Sequence, residues 1–148
     1  MPIKVIDFNS TQYNDVVKLR YELLRKPLGL SFTDEELAAE GAYTHIASYD
    51  DDKLLGTCML TPDADGQAIK LRQMAVKSGL QGKGIGQLIL QFAENISRDK
   101  GYKKIYMNAR KTAVDFYLKS GYTITGQEFN EVTIPHYVME KNLPLITI

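Results

Sequence analysis

Cysteine is almost missing from this chain. Cys58 stands alone among 148 residues, so no intramolecular disulfide can form, and with two histidines and no Cys/His cluster a structural zinc site is out of reach. That usage suits a reducing compartment, and a cytoplasmic location is the expectation. Excess charge is missing too: eighteen Lys and Arg balance eighteen Asp and Glu. No global field therefore draws the chain to nucleic acid or an anionic membrane, and any anion site must be local. Long apolar runs are also absent. The opening MPIKVIDFNS has no signal-like apolar segment, and nothing approaches the ~20 residues needed to cross a bilayer. The chain is expected to be neither secreted nor membrane-inserted. With no repeat, low-complexity tract or Pro/Gly/Ser linker, it reads as one domain over residues 1–148. A domain of that size buries roughly 68–70% of its unfolded surface and needs no metal or disulfide to fold.

What is present is a change of hydrophobic period along the chain. Ser10 and Thr11 can cap a helix whose apolar residues Val16, Leu19, Leu23 and Leu24 follow helical spacing, ended by Pro27 and Gly29. Thr33-Asp-Glu-Glu has the pattern of a capping box opening a short helix to about Ala39. Strand-like runs at 43–49 and 53–60 flank Asp50-Asp51-Asp52 as a hairpin, and 62–66 turns into a third strand at 68–76. Ile85, Leu88, Ile89, Phe92, Ala93 and Ile96 then form the apolar stripe of a long helix closed by Gly101. A strand at 104–107, a helix at 112–119 ended by Gly121, and strands at 122–125 and 137–140 complete the reading; the tail 143–148 is left unplaced. The order predicts an α+β domain, a mixed sheet covered by helices.

Gln81-Gly82-Lys83-Gly84-Ile85-Gly86 joins the third strand to the long helix. Glycines let backbone N–H groups approach a ligand with no Cβ in the way, and the first turn of the helix and its dipole favour a phosphate, to which Lys83 adds charge. A P-loop would follow Lys83 with Ser or Thr, and a Rossmann fingerprint would place glycine where Gln87 stands. Both fail. A plain alternative remains at this point: a glycine-rich turn that only makes a close connection.

Gln81-x-x-Gly84-x-Gly86 before a helix resembles the acyl-CoA pyrophosphate motif of the GNAT N-acetyltransferase superfamily. The stretch from Asn108 through Ala113, Phe116 and Tyr117 to Gly121-Tyr122 resembles that superfamily's Asn-x-x-x-x-Ala-x-x-Phe-Tyr-x-x-x-Gly-Tyr/Phe segment, in the same order and at a similar separation. Leu19-Arg20-Tyr21-Glu22, Gly126-Gln127-Glu128-Phe129 and Ile134-Pro135-His136 are similar to the ElaA-like branch. The resemblance spans roughly residues 3 to 141. It implies the GNAT fold, a mixed and mostly antiparallel sheet flanked by helices, and an enzyme moving acetyl from acetyl-CoA, with no metal, to a primary amine by direct attack in a ternary complex.

It also implies roles for residues. Gln81, Gly82, Lys83, Gly84, Ile85, Gly86 and Gln87 would hold the diphosphate. Met74, Ala75 and Val76 would turn backbone N–H groups to the thioester and pantetheine arm, although their side chains alone read as core strand. Tyr117 is the expected acid for the departing thiolate, with simple packing as the plain alternative. Asn108 would bind the pantetheine, or merely form a turn. Glu128 and His136 border the expected acceptor site as candidate bases. His45 reads as packed, Arg20, Glu22 and Arg72 as acceptor contacts or a solvated face, and Cys58 as core, which favours direct transfer over a ping-pong route. The acceptor, whether small amine, amino sugar, polyamine or peptide amine, is not legible; neither is oligomeric state, although the apolar tail admits a homodimer. Two rivals stand beside the enzyme: a non-catalytic acyl-CoA-binding module, and a nucleotide-binding domain whose loop holds ATP.

Overall fold

The computed structural model describes residues 2–144. Its elements are β1 (Ile3–Ile6), α1 (Thr11–Arg20), α2 (Asp34–Ala38), β2 (Thr44–Asp50), β3 (Lys53–Pro62), β4 (Ala68–Val76), α3 (Ile85–Asp99), β5 (Lys104–Arg110), α4 (Val114–Lys119), β6 (Thr123–Glu131) and β7 (Ile134–Asn142). The strands form one sheet in the order β1-β2-β3-β4-β5-β7-β6. Neighbours run antiparallel except β4 and β5, which are parallel. This is the expected α+β fold, a mixed and mostly antiparallel sheet flanked by helices.

Strand alternation assigns the two faces. In β5, Ile105, Met107 and Ala109 are buried while Tyr106, Asn108 and Arg110 are half-buried. The first three join Leu60, Leu71 and Met139 under Ile85, Ile89, Leu90 and Ala93 of α3, the main core. Each large aliphatic side chain buried there contributes about 1.5–3 kcal/mol. Gly56 lets α3 sit close: a Cβ at that position would lie 2.7 Å from Ile89 Cδ1 and 3.1 Å from the Ala75 carbonyl. On the other face, Tyr13 and Val16 of α1 cover Ile6, Ala47 and Tyr49.

The expected caps are present. Ser10 accepts from the Tyr13 N–H, and Thr33 and Glu36 form a reciprocal capping box. Four elements differ from the sequence reading. β1 was not anticipated, because only Ile6 of its four residues is buried and no alternation shows. The first helix passes from α geometry into a wider π turn at Tyr21–Arg25 and a 3-10 turn at Lys26–Leu28 before Gly29 ends it at φ +70°. The last two strands are longer than expected. β6 continues through polar Gly126-Gln127-Glu128, which lie exposed where its register with β7 shifts between Thr125 and Phe129. β7 begins at Ile134, and Pro135 is tolerated there because the β5 pairing starts only at His136. Of the tail, Leu143 is buried in the main core, and residues 145–148 lie outside the described residues.

Candidate functional site

β4 and β5 pair only at Ala68–Lys104, Ile69–Ile105 and Lys70–Tyr106. Past that point they separate. A bulge shifts the β3–β4 register between Thr57 and Met59, and Gln73 takes a left-handed φ of +56°, which bends β4 away. Each strand keeps its outer partner, β3 or β7, so the wedge is held open. The edge of residues 71–76 that faces β5 is left without a strand partner, with its backbone groups available to a ligand. The wedge is a cleft of about 300 Å³ lined by Met74, Met107, Asn108, Ala109, Phe116 and Tyr117 among others. Because Met107 and Ala109 belong to one face and Asn108 to the other, the cleft passes through the sheet.

The glycine loop stands at the end of β4. Gly82 and Gly84 have φ of +80° and +84°, and a Cβ on either would meet nothing within 4 Å. Glycine is required there for backbone conformation, not space. Gly84 caps α3 with no side-chain bond, and the N–H of Leu88 returns to its carbonyl. The N–H groups of Ile85, Gly86 and Gln87 therefore have no intrahelical acceptor. Gly86 serves packing: a Cβ there would lie 3.4 Å from the Phe116 ring and 3.5 Å from Val76. Gln81 folds back, its amide donating to the Val76 carbonyl at 2.8 Å. Lys83 is exposed.

Tyr117 is 5% exposed, wedged edge-on between Phe116 and Tyr122 at centroid distances of 5.0 and 5.7 Å. Burial pushes its phenol above the ordinary value, so it keeps its proton through the physiological range. Across the cleft, the Asn108 amide donates to Glu131 Oε1 at 3.2 Å. His136 is buried; its Nδ1 lies 2.9 Å from the Ile134 carbonyl, which requires Nδ1–H as donor and leaves Nε2 as the acceptor of the neutral ring. Nε2 sits 3.7 Å from Glu131 Oε2.

The expected site residues thus divide. Met74, Asn108, Tyr117 and His136 line the cleft. Gly82 to Gln87 form the loop beside it, and Ala75 and Val76 follow Met74 in β4. Glu128 does not join them. It lies on the exposed outer edge, paired with Lys111 at 2.9 Å and accepting from Tyr137 at 3.3 Å, and the Lys111 hydrogen bond holds its carboxylate below the ordinary range. The cause is strand parity: Tyr137 and Glu128 meet on the α3 side, whereas His136 points to the α1 side. Arg20 is neither solvated nor at the cleft: it is 1% exposed and forks onto both Glu40 oxygens at 2.7 Å. His45 is packed, 2.9 Å from the Glu40 carbonyl. Cys58 is buried in the core, and burial pushes its thiol up, away from the nucleophilic thiolate.

Glu131, Arg110 and Arg25 line the cleft without having been singled out beforehand. Glu131 ends β6 at a tight hairpin whose central residues, Val132 and Thr133, have φ of +45° and +69°. Such turns normally announce themselves with Asn-Gly or Asp-Gly, so β-branched residues hid the hairpin and the carboxylate it delivers. Among the described residues no group of three or more His, Cys, Asp or Glu is placed to hold a metal, and no helix is long and apolar enough to cross a membrane.

Residues 26–143 match the acetyltransferase (GNAT) domain model. An uncharacterised N-acetyltransferase of Bacillus subtilis, YjcF, is 31% identical over 139 residues, covering 93% of this chain and 98% of its own. An aminoglycoside 6'-N-acetyltransferase solved with coenzyme A superposes with a TM-score of 0.82 at 19% identity over the whole of both chains. Escherichia coli ElaA superposes with a TM-score of 0.81 at 17% identity, over 95% of this chain and 98% of its own. These two identities speak for the fold. The family match runs across most of the sequence, and the chain belongs to the GNAT family of N-acetyltransferases.

Proposed function

We propose that this chain carries acetyl from acetyl-CoA to a primary amine by direct attack within a ternary complex. The observation that carries the reading is the wedge between β4 and β5, open where the strands stop pairing after Lys70 and Tyr106, with the glycine loop at its mouth. The residues fit the carrier. The N–H groups at the head of α3 suit a diphosphate, the unpaired edge of β4 suits an amide-bearing arm, and Gly82 and Gly84 leave open space where side chains would intrude. Acetyl-CoA, when bound, supplies the acetyl group as a thioester and leaves as a thiol.

The chain's own groups do the rest. N–H groups of residues 74–76 stabilise charge on the carbonyl oxygen. Tyr117, protonated and lining the cleft, gives its proton to the departing sulfur. His136, with Nε2 available to accept, takes the proton of the attacking amine directly or through water, and the Glu131 carboxylate, 3.7 Å from Nε2, stabilises the imidazolium that forms. Between the two candidate bases, burial in the cleft favours His136 over the exposed, Lys111-paired Glu128. Burial of Cys58 supports direct transfer. The charge balance and lone cysteine fit a cytoplasmic setting.

Two measurements test this. Binding is compared for acetyl-CoA and ATP; preference for ATP would overturn the assignment. Free thiol release is then followed across an amine panel. Turnover with at least one amine is expected, and tight acetyl-CoA binding with no release would make the chain a binding module instead.

A further inference from the structure

The geometry points to an acceptor that carries an anionic group, a carboxylate or a phosphate, beside its amine. The inference rests on the reading that the cleft receives an amine, and it names the class of amine. Four cations line the cleft, Arg25, Lys70, Arg72 and Arg110, against one carboxylate, Glu131. The chain as a whole has no net charge, so this is a local concentration and not a general basicity.

Their pairing matters more than their number. Elsewhere most buried and half-buried cations have acidic partners: Arg20 has Glu40, Lys104 has Glu140 and Lys141 has Glu94, with Arg98 the exception. At the cleft, Arg25 touches Glu36 only at 3.4 Å. Lys70, Arg72 and Arg110 make no ion pair among the described residues, although each is half-buried. Arg110 donates one Nη2 bond to the Leu24 carbonyl at 2.9 Å, which fixes its fork and leaves the charge uncompensated. Holding like charges together in a partly desolvated wall is costly unless an anion completes it.

The anion in question is distinct from the diphosphate of the carrier. Lys70 and Arg72 are two apart in β4, Lys70 pairs with Tyr106, and Arg110 pairs with His136. All three project to the α1 face, while the glycine loop leads into α3 on the other. The cations therefore surround the end of the cleft where His136 and Glu131 stand. A molecule with one ammonium and one anion matches that wall: Glu131 receives the ammonium and the cations hold the anion. The same cations disfavour the ammonium form once the amine is seated, which promotes the neutral nucleophile that attack requires. A polyamine would meet repulsion instead.

The test is a titration of the full chain, saturated with coenzyme A, against matched pairs: amino acids and their C-terminal amides, phosphorylated amino sugars and their parents, with spermidine as the polycation. At least one anion-bearing member should bind about tenfold or more tighter than its uncharged twin, the effect of a charge-assisted contact. In Arg72→Gln and Lys70→Gln that preference should fall to within about threefold, with coenzyme A affinity unchanged and the thermal midpoint of the ligand-free chain equal or raised. Equal binding of twins, or tighter binding of spermidine, overturns the inference while leaving the transferase reading intact. If coenzyme A itself fails to bind, that earlier reading fails, and the same pairs titrated against the ligand-free chain still decide this one. Whether carboxylate or phosphate pairs separate more widely identifies the anion.

Discussion

Two neighbouring polar regions on the α1 face of this protein treat charge differently. Beneath α1, Arg20 and Glu40 face each other through two 2.7 Å contacts, Tyr13 adds a 2.8 Å bond to the same carboxylate, and His45 ties to its backbone. Phe32 stacks on Arg20 and on Arg25. At the cleft, by contrast, Lys70, Arg72 and Arg110 are half-buried with no ion pair among the described residues, and the buried His136 has only Glu131 near its Nε2, at 3.7 Å. Both regions are polar and enclosed. The first is closed upon itself and bears on stability; the second is left incomplete, and an incomplete polar site in a concave place is what a ligand completes.

The largest expected effect that would sharpen this contrast lies at the cleft. Tyr117→Phe should slow thiol release by roughly 10²–10⁴ while denaturant unfolding changes little, because the ring packing is kept; an equally fast variant would remove Tyr117 from the chemistry. Next comes the closed region. Glu40→Gln should cost about 3–5 kcal/mol in urea unfolding, since it leaves Arg20 buried and unpaired, yet spare acetyl-CoA binding by the folded protein.

The closed region should also be acid-sensitive. Burial depresses the His45 pKa below its ordinary 6.5. For Glu40, burial acts to raise the value, but the Arg20 and Tyr13 contacts outweigh it and the carboxyl sits below its ordinary 4.5. In both cases the unfolded chain binds the proton more readily. Stability is therefore present above the ordinary values and falls as pH drops, first below about 6.5 and again below about 4.5. Urea midpoints that stay level from pH 7 to 4 would contradict the network.

Third, His136→Gln should reduce kcat/KM by about 10², with partial rescue by added imidazole; no rescue and full activity would return the base to another group. Fourth, Gly84→Ala forces a side chain into φ +84° and should cost about 1–2 kcal/mol, with acetyl-CoA affinity falling in parallel. The smallest effect is a deliberate zero: Glu128→Gln, at the exposed Lys111 pair, should leave the rate unchanged. A large loss there would break the separation drawn between cleft and outer edge.

Much of the site was legible because its signals are local. Gly84 before the stripe Ile85, Leu88, Ile89 marks a glycine-led helix start, and Phe116-Tyr117 with Gly121 marks the second half of the cleft wall. Arg20 shows the opposite case. Its neighbours on the helix suggest a solvated face, and only the distant Glu40, twenty residues on, draws it inside. Glu128 and His136 are similar candidates in the sequence. Their separation depends on strand parity and on the register His136–Arg110, which no local pattern reports.

The sequence by itself determined the helix periods and those of the central strands, the caps at Ser10 and Thr33, the glycine turn and the family. Those depend on residues within a turn or two of one another, where backbone conformation and spacing decide the outcome. Only the tertiary structure decided where β4 and β5 part, which face each charged residue takes, and that Glu131 meets His136. Those depend on pairing register between distant segments, where a shift of one residue reverses every side chain.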